Sequence, residues 1–302
     1  MRLASLLVDD RPVLAVRQDH RYLDLTAVDP TLGADVGALL ASGPDWRLRA
    51  DRAASQASAL PTEGLRWRPV IPAPPKLLCM GLNDADHAAE AGLPVPEHPV
   101  VFARVASSLI GHREPMLRPV ESTLLDYEVE LAVVIGQAGR RIPIQDALAH
   151  VAGYTVFNDG SVRDFQVRTP QWTLGKNFHG TGALGPELVT ADALPPGAVG
   201  LRLRTEVDGE VLQDGDTAAM IFDVPRTISL LSQVVAFEPG DVIAMGTPSG
   251  IGHARTPPRY LRAGQVCRVS VERVGVLENP VVDDPATAGA SSSPRLLNRG
   301  AR

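Results

Sequence analysis

Residues 124–136, LLDYEVELAVVIG, hold the chain's most suggestive arrangement of chemical groups. Side chains of a strand alternate between its faces, so Asp126, Glu128 and Glu130 would share one face, with neighbours about 6.6 Å apart. Three carboxylates beside the buried-type run Leu131 to Ile135 repel one another once they leave water. A hard divalent cation relieves that repulsion, because Mg²⁺, Mn²⁺ or Ca²⁺ takes carboxylate oxygens and tolerates open coordination positions. An edge strand with a solvated acidic face has the same pattern. A second acidic group lies in GYTVFNDGSVRDFQ, residues 153–166, where a strand runs into Asn158-Asp159-Gly160. Asp159 at that strand end would complete a Glu, Glu, Asp ligand set, although Asn-Asp-Gly is also simply a good turn.

Two further constellations offer charge and proton chemistry. Lys176 lies in WTLGKNFHGTGALGP, residues 172–186, which reads as a glycine-rich loop where backbone can approach a ligand closely. Beside a cation its ammonium would stabilise a developing oxyanion or enolate; elsewhere it would be an ordinary surface charge. His87 and Glu90 are three apart on an expected short helix capped by Asp84 and ended by Gly92 and Pro94. That spacing puts them on one side, where the carboxylate can orient the imidazole as a general base, though such pairs also arise by chance.

These residues need a scaffold, and the pattern supplies many short elements. Residues 3–25 alternate around Asp9-Asp10 as a meander of strands, and residues 34–58 read as two short helices broken at Gly43-Pro44. The run RPVIPAPPK, residues 68–76, has four prolines in nine positions and reads as a stiff connector. Beyond it strands are expected at 99–104, 124–136, 151–157, 201–208 and 241–246, with a helix over 224–235 entered at Pro225. The organisation expected is a small N-terminal domain (1–70), a catalytic domain (71–284) and a disordered tail (285–302).

Composition narrows the partners. The 302 residues carry 29 basic and 35 acidic side chains, a formal charge of −6, which leaves no electrostatic footprint for nucleic acid. No run approaches the roughly 20 apolar residues that span a bilayer, and Asp9 and Asp10 interrupt any signal-peptide core. No membrane partner and a cytoplasmic location are expected. Cys79 and Cys267, without CxxC spacing, read as buried thiols in a reducing compartment.

In order and spacing, GLNDADHAAEAG, LDYEVELAVVIG, GYTVFNDGSVRDFQ, GKNFHGTGALGP and EPGDVIAMGTPSGIG resemble the fumarylacetoacetate hydrolase family over roughly residues 70–283. The resemblance implies an α+β fold, a mostly β mixed-sheet roll preceded by a small α+β domain, and a homodimer. It implies Glu128, Glu130 and Asp159 as ligands of Mg²⁺ or Mn²⁺, with Ca²⁺ as a further option and Asp126 outside the coordination sphere. Lys176 matches the lysine that steadies substrate charge, His87 and Glu90 the dyad that activates water, and Arg163, Gln166 and Thr247 the residues that hold substrate oxygens. Ser249 and Gly250 shape the Thr247 loop. Three positions depart from the family pattern: Asp84 replaces a common Tyr, His179 replaces a common Asp and sets an imidazole near the site, and Gln265 replaces a frequent Asp at a structural position.

The activity this implies is metal-dependent hydrolysis of a C–C bond in a 2,4-dioxo, acylpyruvate-like acid, releasing pyruvate and a carboxylic acid. The same site also suits a decarboxylase or isomerase of an oxaloacetate-type 2-oxo acid, or a non-catalytic protein that binds a metal and a small acid. The distal part of the pocket is expected along the dyad helix, Arg104 to His112 and His253 to Tyr260.

Overall fold

The computed structural model describes residues 1–61, 63–90, 92 and 94–285. From residue 286 onward the expected tail lies outside the described residues.

Among the described residues two large sheets carry the architecture, beside a two-stranded one formed by Leu125–Asp126 and Ser161–Val162. The larger runs in the order Arg21–Asp24, Arg11–Gln18, Arg2–Val8, Gly182–Thr190, Val151–Asp159, Val129–Ile135, Val242–Ala244, Leu77–Gly81, Val100–Ala103. The second has five strands, ordered Glu210–Asp216, Arg202–Val207, Val266–Val271, Gly275–Asp283, Met116–Arg118. It covers one face of the first. Leu131, Val133 and Ile135 pack there with Leu203, Val269 and Leu277 in one core cluster. On the opposite face Ala132 and Val134 belong to a cluster with Val36, Leu39 and Leu40 of the N-terminal helices. The Val129–Ile135 strand is therefore buried on both sides, which is why it reads as a continuous apolar run.

The expected N-terminal meander and helix pair form as Arg2–Val8, Arg11–Gln18, Arg21–Asp24, then Val36–Ala41 and Trp46–Ala54. Arg2–Val8 pairs with Gly182–Thr190 of the large sheet. Within the proline-rich run, Val70 and Ile71 are buried, and Val70 N donates to the Leu184 carbonyl.

Three expectations need correction. Residues 124–136 are not one strand but two, Leu125–Asp126 and Val129–Ile135. Side chains intrude on the ladder between them: Glu128 N donates to Asn158 Oδ1 and Val129 N to Gln213 Oε1. The glycine-rich stretch after Lys176 becomes the strand Gly182–Thr190 rather than a loop. The helix entered at Pro225 is Val224–Leu231, capped by Asp223 and shorter than expected. No helix among the described residues is long and apolar enough to cross a membrane.

Candidate metal centre and active site

Strand pairing brings the acidic residues together. Val129 lies opposite Asn158, and Asp159 N donates to the Glu128 carbonyl at 2.9 Å, so Asp159 arrives beside Glu128 at the end of the ladder. Alternation then places Glu130 on the face of Ala132 and Val134. Glu128, Glu130 and Asp159 are all buried, and each offers an oxygen within 4.8 Å of the others. Asp126 is not in this group. It belongs to the short Leu125–Asp126 strand and accepts hydrogen bonds from Arg163 Nε (2.8 Å), Gly252 N (2.9 Å) and His253 N (2.8 Å).

Three buried cations face the carboxylates. Lys176 Nζ lies 2.6 Å from both Glu128 Oε2 and Asp159 Oδ2. Arg163 Nη1 meets Glu128 Oε1 at 2.6 Å, and Arg104 Nη1 meets Asp159 Oδ1 at 2.5 Å. Burial alone would push the Glu128 carboxyl up, but Lys176 and Arg163 together outweigh it and hold the group at about 2. Glu130 moves the other way. Burial raises it well above the usual carboxylate range, and the Asp159 and Glu128 charges add to that rise. Burial would likewise strip Lys176 of its proton, but Asp159 and Glu128 raise it instead, so it stays an ammonium.

The donor set suits a hard divalent cation. All three candidate ligands are carboxylates, and Glu130 is forced up in part by its two acidic neighbours, a conflict that a dication would relieve. Arg163 also leaves Nη2 buried with no hydrogen-bond partner among the described residues. Such a spare donor beside the carboxylates is suited to a ligand's own carboxylate.

These groups open into a cavity of about 230 Å³. Arg163, Gln166, Lys176 and Thr247 line it, as does His87. Gln166 Oε1 accepts from Arg163 Nη1 at 2.9 Å, and Thr247 Oγ1 accepts from Gln213 Nε2 at 2.8 Å. The short helix Ala85–Glu90 carries the dyad, with His87 Nδ1 3.4 Å from Glu90 Oε2. Glu90 Oε1 also accepts from Gly250 N at 2.9 Å, tying the dyad to the Thr247–Gly250 loop. All nine residues expected at the site are therefore in one neighbourhood.

The departures find physical explanations. Asp84 Oδ1 accepts from His87 N at 2.9 Å and caps the dyad helix. Asp84→Ala is expected to cost about 1 kcal/mol of stability and to lower turnover by loosening His87. A thermal melt and a steady-state assay check both parts. Gln265 is structural, as expected, joining Arg262 N to Asp208. His179 is a correction: it is exposed and does not line the cavity. Cys79 and Cys267 are free, buried thiols, and burial pushes Cys267 up to about 12.

The distal wall also differs from expectation. His253 lines the cavity, but Arg104 lies behind Asp159, and the apolar wall is built by Leu82, Phe102, Val167, Trp172 and Ile251. Phe102 and Trp172 meet edge to face, with centroids 5.7 Å apart. Gly81 makes room for that indole, since a Cβ there would fall 2.2 Å from the Trp172 ring. Sequence reading missed this wall because nothing local marks an aromatic as pocket-lining. It missed Gln213 because that residue sits in a hairpin remote in sequence.

Residues 76–282 match the family model described as fumarylacetoacetate (FAA) hydrolase C-terminal. The chain belongs to the fumarylacetoacetate hydrolase family. Among similar members of that family, human mitochondrial oxaloacetate tautomerase FAHD2A is 42% identical over 263 residues, covering 86% of this chain and 83% of the relative. Oxaloacetate tautomerase YisK of Bacillus subtilis (strain 168) is 42% identical over 215 residues, covering 70% and 71%. In structure, the fumarylacetoacetate hydrolase of the psychrophile Exiguobacterium antarcticum superposes with a TM-score of 0.81 at 33% identity, covering 94% of this chain and all of that one. The α+β fumarylacetoacetate hydrolase fold is thus established, members of this family are enzymes, and the buried carboxylate triad is the place where a metal would bind.

Proposed function

We propose that this protein is a divalent-cation-dependent tautomerase that interconverts the keto and enol forms of a small, oxaloacetate-type 2-oxo acid. The observation that carries the reading is the pairing, in one cavity of about 230 Å³, of a buried lysine ammonium with an imidazole that has its own carboxylate. Its similarity to relatives named as oxaloacetate tautomerases supports the choice of substrate.

Glu128, Glu130 and Asp159 would hold Mg²⁺ or Mn²⁺. When bound, the cation supplies Lewis-acid polarisation of the 2-oxo group. Arg163 Nη2 and Gln166 orient the substrate carboxylate, and the Lys176 ammonium faces the oxygen that takes up enolate charge. Glu90 engages His87 Nδ1, which leaves Nε2 as the base that takes the carbon 3 proton when the enol forms, while the 2-oxo oxygen takes its proton from the Lys176 ammonium. In the return to the keto form both transfers reverse. The apolar wall of Phe102, Trp172 and Ile251 keeps bulk water from that carbon.

A hydrolytic reading stays open because the same dyad could activate water, as in cleavage of acylpyruvates. Product analysis separates the two. Protein with Mg²⁺ is expected to speed the decay of the enol absorbance of oxaloacetate, and to speed deuterium entry at carbon 3, without releasing CO₂. Unchanged enol decay, together with production of pyruvate and a carboxylic acid from acylpyruvates, would overturn the tautomerase reading in favour of hydrolysis.

A further inference from the structure

We propose that Arg104 is a positioning residue that sets the cation preference of this site, by denying Asp159 a second ligating oxygen. The inference rests on the divalent-cation reading above.

Each carboxylate of the triad has one oxygen already held. Arg163 Nη1 takes Glu128 Oε1 at 2.6 Å, Gly246 N takes Glu130 Oε2 at 2.9 Å, and Arg104 Nη1 takes Asp159 Oδ1 at 2.5 Å. Glu128 Oε2, Glu130 Oε1 and Asp159 Oδ2 form the remaining set, one oxygen per residue, the first and last of them held by Lys176 Nζ at 2.6 Å until a cation takes its place. Three single oxygens suit a small octahedral cation that keeps its remaining positions for water or substrate. Ca²⁺ is larger, takes six to eight oxygens and commonly draws on bidentate carboxylates, so the same set serves it poorly.

Of the three donors that do the holding, Gly246 N is a backbone amide and Arg163 takes part in the proposed chemistry, so Arg104 is the one side chain that can be changed without touching that chemistry. Its side chain is fully buried. Nε donates to Ser108 Oγ (3.2 Å), Nη1 also to the Gly160 carbonyl (3.1 Å), and Nη2 to Thr181 Oγ1 (3.0 Å). The guanidinium lies 5.5 Å from the Phe157 ring centroid, and a Cβ added at Gly182 would fall 2.7 Å from Nη2. A guanidinium gripped this way cannot follow Asp159 if that carboxylate rotates. Asp159 is thereby fixed as a one-oxygen ligand.

Charge and denticity make different forecasts. Loss of a positive charge near the triad would strengthen the binding of every dication by a similar factor. Release of Asp159 Oδ1 would favour Ca²⁺ in particular. The test is calorimetric titration of Mn²⁺, Mg²⁺ and Ca²⁺ into the metal-free full chain and two variants. Arg104→Lys keeps the charge but loses the fork. Gly182→Ala keeps every charged group and pushes the flexible end of Arg104 off its seat, so it decides the question if Arg104→Lys fails to fold. The affinity for Ca²⁺ relative to Mn²⁺ is expected to rise at least tenfold in the folded variants. A smaller change, or equal shifts for all three cations, overturns the proposal. A native chain that binds none of the three overturns the cation reading as well, so the two failures are distinguishable.

Discussion

Glu130→Gln is expected to leave the metal-free protein as stable as the native chain or more so near neutral pH, and to remove the stabilisation that Mn²⁺ confers. Glu130 is buried, and its carboxyl is raised well above its usual range, first by desolvation and then by the charges of Asp159 and Glu128. In the unfolded chain the same group loses its proton near pH 4.3. Between those two values the unfolded state sheds a proton that the folded state keeps, so the stability present at low pH declines as pH rises through this window. An amide has no proton to lose and escapes that decline. Glu128 carries the opposite sign. Held at about 2 by Lys176 and Arg163 against the pull of burial, it contributes stability above the unfolded value that is lost as pH falls through the folded one. In the native chain, Mn²⁺ at a hundredfold excess over its dissociation constant adds about 2.7 kcal/mol, a rise of several degrees in melting temperature. Melting curves from pH 5 to 8, with chelator and with Mn²⁺, read both effects. An undiminished Mn²⁺ shift in Glu130→Gln would remove Glu130 from the ligand set, and turnover should vanish along with that shift.

Much of this site was legible in the sequence, because strand alternation is a strict geometric rule. Glu128 and Glu130 were bound to share a face wherever that strand lay, and Asp159 does close its strand, although Asn158 and Asp159 belong to the ladder itself and not to the turn their types suggest. The same rule misplaced Asp126, because alternation holds only while the ladder continues. Here the Asn158 and Gln213 side chains take the amides of Glu128 and Val129, and the chain restarts as a second strand. Gln213 lies 84 residues from Val129 in the chain, so no local pattern could announce that break. Arg104 was read as part of the distal pocket for a similar reason. Its neighbours in sequence say nothing of the Thr181 hydroxyl and Phe157 ring that seat it behind Asp159. Gly182–Thr190 was hidden by its glycines and Pro186, residues that mark turns in most settings but here allow close approach inside a sheet covered on both faces.

Lys176→Met should move two quantities in opposite directions: Mn²⁺ is expected to bind at least tenfold more tightly while turnover falls by about 10² to 10³. The fall follows from the role proposed for the ammonium, since loss of one donor to a developing oxyanion typically costs that much. The tighter binding follows from competition. Lys176 Nζ lies 2.6 Å from Glu128 Oε2 and from Asp159 Oδ2, the two oxygens that a cation would need. It is buried, its proton is held by those carboxylates against desolvation, and the Phe102 ring lies 5.0 Å away, so solvent does not replace it. A cation must therefore take those oxygens from an ammonium already in place, and methionine, of similar length and without charge, offers no such resistance. Removing one partner from a buried ion pair also leaves the carboxylates uncompensated, so the metal-free variant should melt lower than the native chain and recover most of the loss on adding Mn²⁺. Calorimetry, kcat and paired melts read all three results. Weaker Mn²⁺ binding together with reduced turnover would mean that Lys176 supports the site's structure and does not compete for its oxygens. Tighter binding with unchanged turnover would take the lysine out of the chemistry and leave it as a counter-ion for the metal-free protein.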